Sequence, residues 1–130
     1  YHDYTSITAG ILSHLIGEIV LAPAVRSSIL ERNRAMLRSN LGHVHSWIET
    51  MEGHLRFIPP KAGGMAFIRY DFSVNSSELA EWLRTEHSTF ILPGDCFGMD
   101  SFFRIGVGAE RRCLETGLNR VRRALLDRFV

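Results

Sequence analysis

The part of the sequence that decides the fold is FFRIGV, residues 102–107. This stretch is apolar apart from one arginine, and side chains alternate between the two faces of a β-strand. One face of the predicted strand is formed by Phe103, Ile105 and Val107. The opposite face carries Phe102, Arg104 and Gly106. We expect the first face to lie on a hydrophobic core, while the second face presents a charge.

Arg104 is the residue that fits least well with its neighbours. A bare guanidinium is very costly to bury, so it must meet water, a carboxylate of the chain, or an anionic ligand. Spacing alone leaves open a pair with a structural Asp or Glu, or a place at a solvated edge. The absence of a side chain at Gly106 leaves room beside the guanidinium. An arginine so placed can hold a small carboxylate through two parallel hydrogen bonds.

A tight loop, PGDCFG at residues 93–98, precedes this strand and is expected to fold over its end. We therefore predict a small carboxylate-binding cleft around Arg104. The candidate lining residues are Pro93, Gly94, Phe97, Gly98 and Phe102.

Apolar residues at helical spacing predict four helices. A first helix follows Gly10, and a long amphipathic helix begins at Pro23 and ends before Gly53. Asn75 is a candidate N-cap for a short third helix, with Glu78 three residues later. The last helix begins near Ala109 or Glu110 and places its arginines mostly on a solvated face.

Between these helices the sequence predicts strands at residues 65–72, 89–92 and 102–107. Helices segregated over a mostly antiparallel sheet define an α+β fold. The prediction is a sheet of about three to four strands covered by helices, one of them long and in the N-terminal half and one at the C-terminus.

The composition excludes several functional classes. The 130 residues carry a net charge of +1, which is too weak a field to attract nucleic acid or an acidic membrane. Cys96 and Cys113 are far apart, and His43 and His45 point to different sides of a helix, so we expect no metal site. No apolar run is long enough for a membrane span, and a soluble, cytoplasmic protein is the expectation.

Three motifs resemble the small C-terminal domain of class I and II aminotransferases, which are pyridoxal-phosphate (PLP) enzymes of fold type I with the aspartate aminotransferase fold. PKAGGMAF at residues 60–67 is similar to the family's P-x-x-G-G-x-F stretch. FILPGDCFG at 90–98 resembles the v-x-v-x-P-G-x-x-F-G loop, and FRIG at 103–106 resembles the h-R-I/L-x strand. Residues 4–13 look like the segment that joins the large domain to the small one, and Asn33 or Asn40 resembles asparagines of the family's long helix.

The resemblance implies that Arg104 binds the substrate α-carboxylate in an enzyme that transfers an amino group between an amino acid and a 2-oxo acid. It also implies a homodimeric full-length enzyme. The lysine that binds PLP would belong to a large domain upstream of this chain. Lys61, the only lysine, lies in a turn and cannot replace it. The isolated chain is therefore expected to be inactive and to hold no PLP.

Two alternatives stay open. The same domain serves PLP lyases, synthases and decarboxylases, and Arg104 would act in all of them. A stand-alone carboxylate-binding or interaction module is the third reading. The chain opens without Met, which favours a piece of a longer polypeptide.

We divide the chain into a linker and interdomain helix at residues 1–22 and the small domain at residues 23–130. A domain separated from a larger partner should expose an apolar patch. The first helix is the candidate for that patch, through Ile11, Leu12, Leu15, Ile16 and Ile19. Dimerisation of the isolated chain through this patch is a hypothesis.

Overall fold

A computed structural model describes residues 10–130 of the chain. Two helices open it: α1 spans Ile11–Leu21 and α2 spans Pro23–Glu49. The described residues form two compact units, one that ends at Ala35 and one that spans Met36–Val130, and the boundary between them lies inside α2. The predicted boundary after residue 22 thus stays a prediction. None of the helices within residues 10–130 is both long and apolar enough to cross a bilayer.

The second unit contains a four-stranded sheet and two further helices. The strands are β1 (Leu55–Phe57), β2 (Met65–Tyr70), β3 (Leu92–Pro93) and β4 (Phe102–Gly106). Helix α3 is Ser76–His87, a 3-10 turn covers Gly94–Phe97, and α4 is Arg111–Phe129. The strand order is β1-β2-β4-β3, and every pair is antiparallel. The predicted α+β class is confirmed.

The sheet has one buried face and one open face, because successive side chains of a strand point to opposite sides. On β2, Ala66, Ile68 and Tyr70 are buried, whereas the alternate residues Met65 and Arg69 are exposed. The same alternation continues on β4, where Phe103 is buried. Strand β4 lies between β2 and β3, so its open face occupies the middle of the sheet.

The C-terminal half of α2 contributes to the core of the second unit through two specific contacts. Asn40 is buried, and its Nδ2 donates to the carbonyl oxygens of Val107 at 2.8 Å and Ala109 at 3.0 Å. The indole Nε1 of Trp47 donates to the carbonyl of Leu118 at 3.0 Å. All three bonds join residues 67 to 71 positions apart in the sequence. They tie α2 to the end of β4 and to α4.

The helix ends agree with the sequence. The Asn75 side chain accepts from the N–H groups of Ser77 and Glu78, which confirms it as the N-cap of α3. Helix α2 begins at Pro23, as predicted. It ends at Glu49, and the backbone then turns through Glu52 and Gly53, which both have positive φ.

Two strand predictions need correction. The strand placed at 89–92 is Leu92–Pro93. Thr89 lies beyond α3 but caps its end: Ser88 is left-handed, and the Thr89 N–H donates to the Leu83 carbonyl. Strand β1 was not predicted, since its three residues are too few to show alternation. The strand predicted at 65–72 ends at Tyr70.

Helix α1 exposes its apolar face, as predicted. None of its residues is buried, and Ile11 is 76% exposed.

Candidate functional site

Arg104 lies on the open face of the sheet, near its middle. It pairs with Phe67 of β2 on one side and with Leu92 of β3 on the other. Its side chain is half-buried. No carboxylate of residues 10–130 lies within 4.0 Å of its guanidinium. Within the described chain, therefore, no structural ion pair occupies this guanidinium.

An aromatic ring covers the guanidinium. The central carbon of the Arg104 guanidinium lies 4.6 Å from the centroid of the Phe97 ring, over its face. This distance is within the range of a cation–π interaction. The Phe97 side chain is itself 45% exposed, so solvent reaches the neighbourhood of the charge.

The 3-10 turn that carries Phe97 depends on two glycines. A Cβ at Gly94 would lie 2.7 Å from both the Cβ and the carbonyl oxygen of Phe102, so only glycine fits there. Gly98 has a φ of 71°, a left-handed conformation that glycine adopts without strain. The Gly98 N–H donates to the Asp95 carbonyl at 2.9 Å and closes the turn.

Hydrogen bonds anchor this turn to the beginning of α3. The Ser76 hydroxyl accepts from the Asp95 N–H at 3.0 Å. The Asp100 carboxylate accepts from the N–H groups of Ser76 and Ser101, both at 2.7 Å. These two N–H groups stabilise the ionised form and hold the pKa of Asp100 below its usual value. The segment between α3 and β4 is thus fixed on both sides of Phe97.

A second pair of rings extends the aromatic surface. Phe67 stacks on Phe102 with centroids 4.9 Å apart and meets Phe97 edge-on at 6.0 Å. Gly106 keeps the other side of Arg104 open, since an added Cβ there would meet only the Met65 sulfur, at 4.0 Å. The result is an open cationic spot beside an aromatic wall.

The predicted site residues fall into two groups. Phe97 and Phe102 provide rings near Arg104, while Pro93, Gly94 and Gly98 shape the turn. The sequence reasoning did not name Phe67 as a site residue. Its alternation with the buried Ala66 and Ile68 was the signal that places it on the open face. A ligand-binding role for these residues stays a prediction.

The second unit has a cavity between β4, α4 and the segment before β3. It has a volume of about 610 Å³ and is lined by the segment before β3, by Ile105 and Gly106 of β4, and by α4. Its lining does not include Arg104. The cavity therefore reaches the end of β4 at Gly106, two residues from Arg104.

The histidines of α2 are engaged in ordinary surface contacts. His43 Nε2 lies 3.5 Å from the Glu115 carboxylate, and His45 Nδ1 lies 3.6 Å from that of Glu49. Within residues 10–130 there is no group of three or more His, Cys, Asp or Glu side chains placed to hold a metal ion.

A Schiff base with PLP needs a lysine amine. Lys61, the only lysine of the sequence, is exposed in the turn between β1 and β2. Arg104 lies on β4, between β2 and β3 in the sheet. That the isolated chain holds no PLP stays a prediction from the sequence.

The chain is similar to parts of several solved structures. The chain superposes over 100% of its length on a PLP-dependent aminotransferase from Streptococcus suis 89-1591, with a TM-score of 0.90 and 32% identity. It matches the PLP-dependent cyclase OrfR over 98% of its length, with a TM-score of 0.84 and 25% identity. An aromatic aminotransferase from Pyrococcus horikoshii OT3 matches 82% of the chain with a TM-score of 0.73 and 24% identity, which supports the fold alone.

In each case the match is to one part of a larger protein. The chain spans 34%, 35% and 28% of the lengths of these three structures. No protein-family profile and no curated protein sequence matches the chain.

Proposed function

From the premise that this chain has the fold of the small domain of PLP-dependent aminotransferases, we propose that it forms the carboxylate-binding part of such an enzyme. In this proposal the full-length protein transfers an amino group between an amino acid and a 2-oxo acid. The chain would contribute the group that binds the substrate α-carboxylate. The rest of the polypeptide would hold PLP. The complete enzyme would be a homodimer.

One observation carries the proposal: a half-buried guanidinium on an open sheet face, with no carboxylate of residues 10–130 beside it. Arginine presents a planar fork of N–H donors that matches the two oxygens of a carboxylate. Phe97 occupies one face of this fork, and a ring face does not compete for the N–H groups. Arg104 is thus free to donate two parallel hydrogen bonds to an incoming acid.

The mechanistic contribution of this chain is orientation. A substrate held by its carboxylate cannot rotate freely, so the bonds at its α-carbon keep a fixed direction relative to the rest of the site. Both an amino acid and a 2-oxo acid carry that carboxylate, and one arginine can therefore serve both halves of a transfer reaction. The aromatic wall beside it excludes part of the solvent, which strengthens the charge-assisted hydrogen bonds.

Helix α1 supports the proposal that a larger partner is present in the complete enzyme. Its exposed residues form an apolar face, and about two thirds of the Streptococcus suis enzyme has no counterpart in this chain. We propose that the remaining part of the polypeptide covers that face.

Substitution of Arg104 in the full-length protein tests the carboxylate assignment. Arg104→Ala should raise KM and lower kcat/KM for amino acids about 10- to 150-fold, the range expected on loss of hydrogen bonds to a charged group. Arg104→Lys should also be poor, since a point charge does not reproduce the fork. Steady-state kinetics with an amino acid and a 2-oxo acid measure both.

Arg69→Ala is the matched control. Arg69 is an exposed arginine on the same sheet face, on β2, and it pairs with Phe102 in the strand register. Its loss removes the same charge and should leave KM nearly unchanged. Equal effects of the two alanine substitutions would mean that general electrostatics, and not a carboxylate fork, is responsible.

The similarity to a PLP-dependent cyclase supports a second candidate, a lyase- or synthase-type reaction on the same domain. Arg104 would bind the α-carboxylate there too. The two candidates differ in what happens to the amino group. Appearance of a new amino acid from an added 2-oxo acid favours transfer, whereas its absence with substrate consumed favours the second candidate.

A further inference from the structure

Phe97 and Arg104 come from different segments, yet they meet on the open face of the sheet. We propose that Phe97 is a positioning residue for Arg104, holding its guanidinium in the orientation that receives the substrate carboxylate. This inference rests on the proposed carboxylate-binding function of Arg104. It adds a second residue to that site and a reason for the shape of the preceding loop.

The contact has the geometry that such a role needs. The guanidinium carbon lies 4.6 Å from the ring centroid, over the ring face, where the electron-rich π-system attracts a cation. The guanidinium N–H groups lie in its own plane and remain available to a ligand. Phe97 therefore restrains the charge without neutralising it, which an aspartate or glutamate in its place would do.

Phe97 can restrain Arg104 because its own backbone is fixed. The ring is 45% exposed, so burial alone does not hold it. The 3-10 turn does, through the close approach of Gly94 to Phe102 and through the hydrogen bond from the Asp95 N–H to Ser76 at the start of α3. Edge-on contact with Phe67 at 6.0 Å supports the ring from the sheet side.

Restraint before binding improves affinity for a simple reason. Arginine has many rotamers, and fixing one of them during binding costs conformational entropy. A side chain that is already oriented avoids this cost when the ligand arrives. The effect should be the same for every substrate that carries the α-carboxylate, and it should act on KM more than on kcat, because the carboxylate is held in both the bound and the transition state.

The test uses three variants of the full-length protein. Phe97→Leu keeps an apolar side chain but removes the ring face, and should raise KM for amino acid and 2-oxo acid alike by about two- to thirtyfold, the range of one cation–π contact. Phe97→Tyr keeps the ring and should restore KM close to the original value. Phe57→Leu is the matched control, because the Phe57 ring lies on β1 at the edge of the sheet, beside His45, and its loss should leave KM nearly unchanged.

A double-mutant cycle separates this inference from the one on which it rests. If Phe97 acts through Arg104, then Phe97→Leu has no further effect on KM once Arg104 is alanine. An unchanged KM in Arg104→Ala overturns the carboxylate assignment itself. A raised KM in Arg104→Ala, together with no effect of Phe97→Leu or the same fold-change in both backgrounds, leaves the arginine's role intact and overturns only the positioning role. Thermal unfolding of each variant checks that the fold persists.

Discussion

The first and last helices show that an apolar stripe predicts a face to be covered but not what covers it. Helix α1, ILSHLIGEIVL, is mostly apolar, yet none of its residues is buried. Helix α4 contains five arginines before its last turn and still buries an apolar stripe. The buried residues of α4 are Leu114, Leu118, Val121, Ala124 and Leu125. Both helices have apolar residues at helical spacing, but only α4 packs these residues against other described residues of its own unit.

The largest expected effect comes from removing an apolar side chain from α4. Leu125 is fully buried, and Leu125→Ala should lower the free energy of unfolding by about 2–5 kcal/mol through lost burial and a residual cavity. Leu15→Ala in α1 removes the same atoms from a side chain that is 52% exposed and should change it by less than about 0.5 kcal/mol. Urea denaturation of the 130-residue chain compares the two. Equal losses would show that α1 is packed in solution, and the contrast between an exposed α1 and a buried α4 would then be wrong.

A smaller effect is expected at the helix starts. Glu110 is the N-cap of α4, and its carboxylate accepts from the N–H groups of Arg112 at 3.2 Å and Cys113 at 3.3 Å. Glu110→Ala should cost about 1 kcal/mol, as loss of a side-chain cap usually does. Gly10 stands at the same place in α1 and provides no side-chain cap.

The control for this prediction is Glu110→Gln, which keeps one acceptor oxygen and should recover part of the loss. The free energy of unfolding from chemical denaturation measures both variants. Stability unchanged in Glu110→Ala would mean that α4 is held by its apolar face alone.

Much of the fold could be predicted from local signals. Asn75 marked the start of α3 because an asparagine cap acts on its own next few residues, and Pro23 marked the start of α2 for the same reason. Strand β1 escaped prediction because three residues show no period, and β3 shifted because the Thr89 N–H bonds to the end of α3. The pairing of β1 with β2 is a tertiary contact, and the Thr89 bond requires a left-handed Ser88; neither appears as a period in the sequence.

The sequence pointed to Arg104 as a site residue, but it did not predict the contacts that the neighbouring rings make. Arg104 stands out because a charge alternates with buried apolar residues on one strand. The contact of Phe97 with that charge depends on how a 3-10 turn folds back onto the sheet, and the stacking of Phe67 on Phe102 depends on the β2–β4 register. Spacing along the sequence fixes neither. The aspartate or glutamate partner that spacing left open for Arg104 is absent among residues 10–130.

The smallest expected effect gives the most direct test of the difference between α1 and α4, because the same substitution can be made in both helices. Gly17 lies inside α1 and Gly117 inside α4, and a Cβ added at either would meet no heavy atom within 4 Å. Glycine within a helix is less favourable than alanine by about 0.5–1 kcal/mol. Gly117→Ala should therefore raise the free energy of unfolding of the core unit by about that amount. Gly17→Ala should raise the helix content seen by circular dichroism while leaving the main unfolding transition in place, since no residue of α1 is buried. A shift of the main transition by Gly17→Ala as large as that by Gly117→Ala would show that the two helices unfold together, and the apolar face of α1 would then have to be covered within the chain itself.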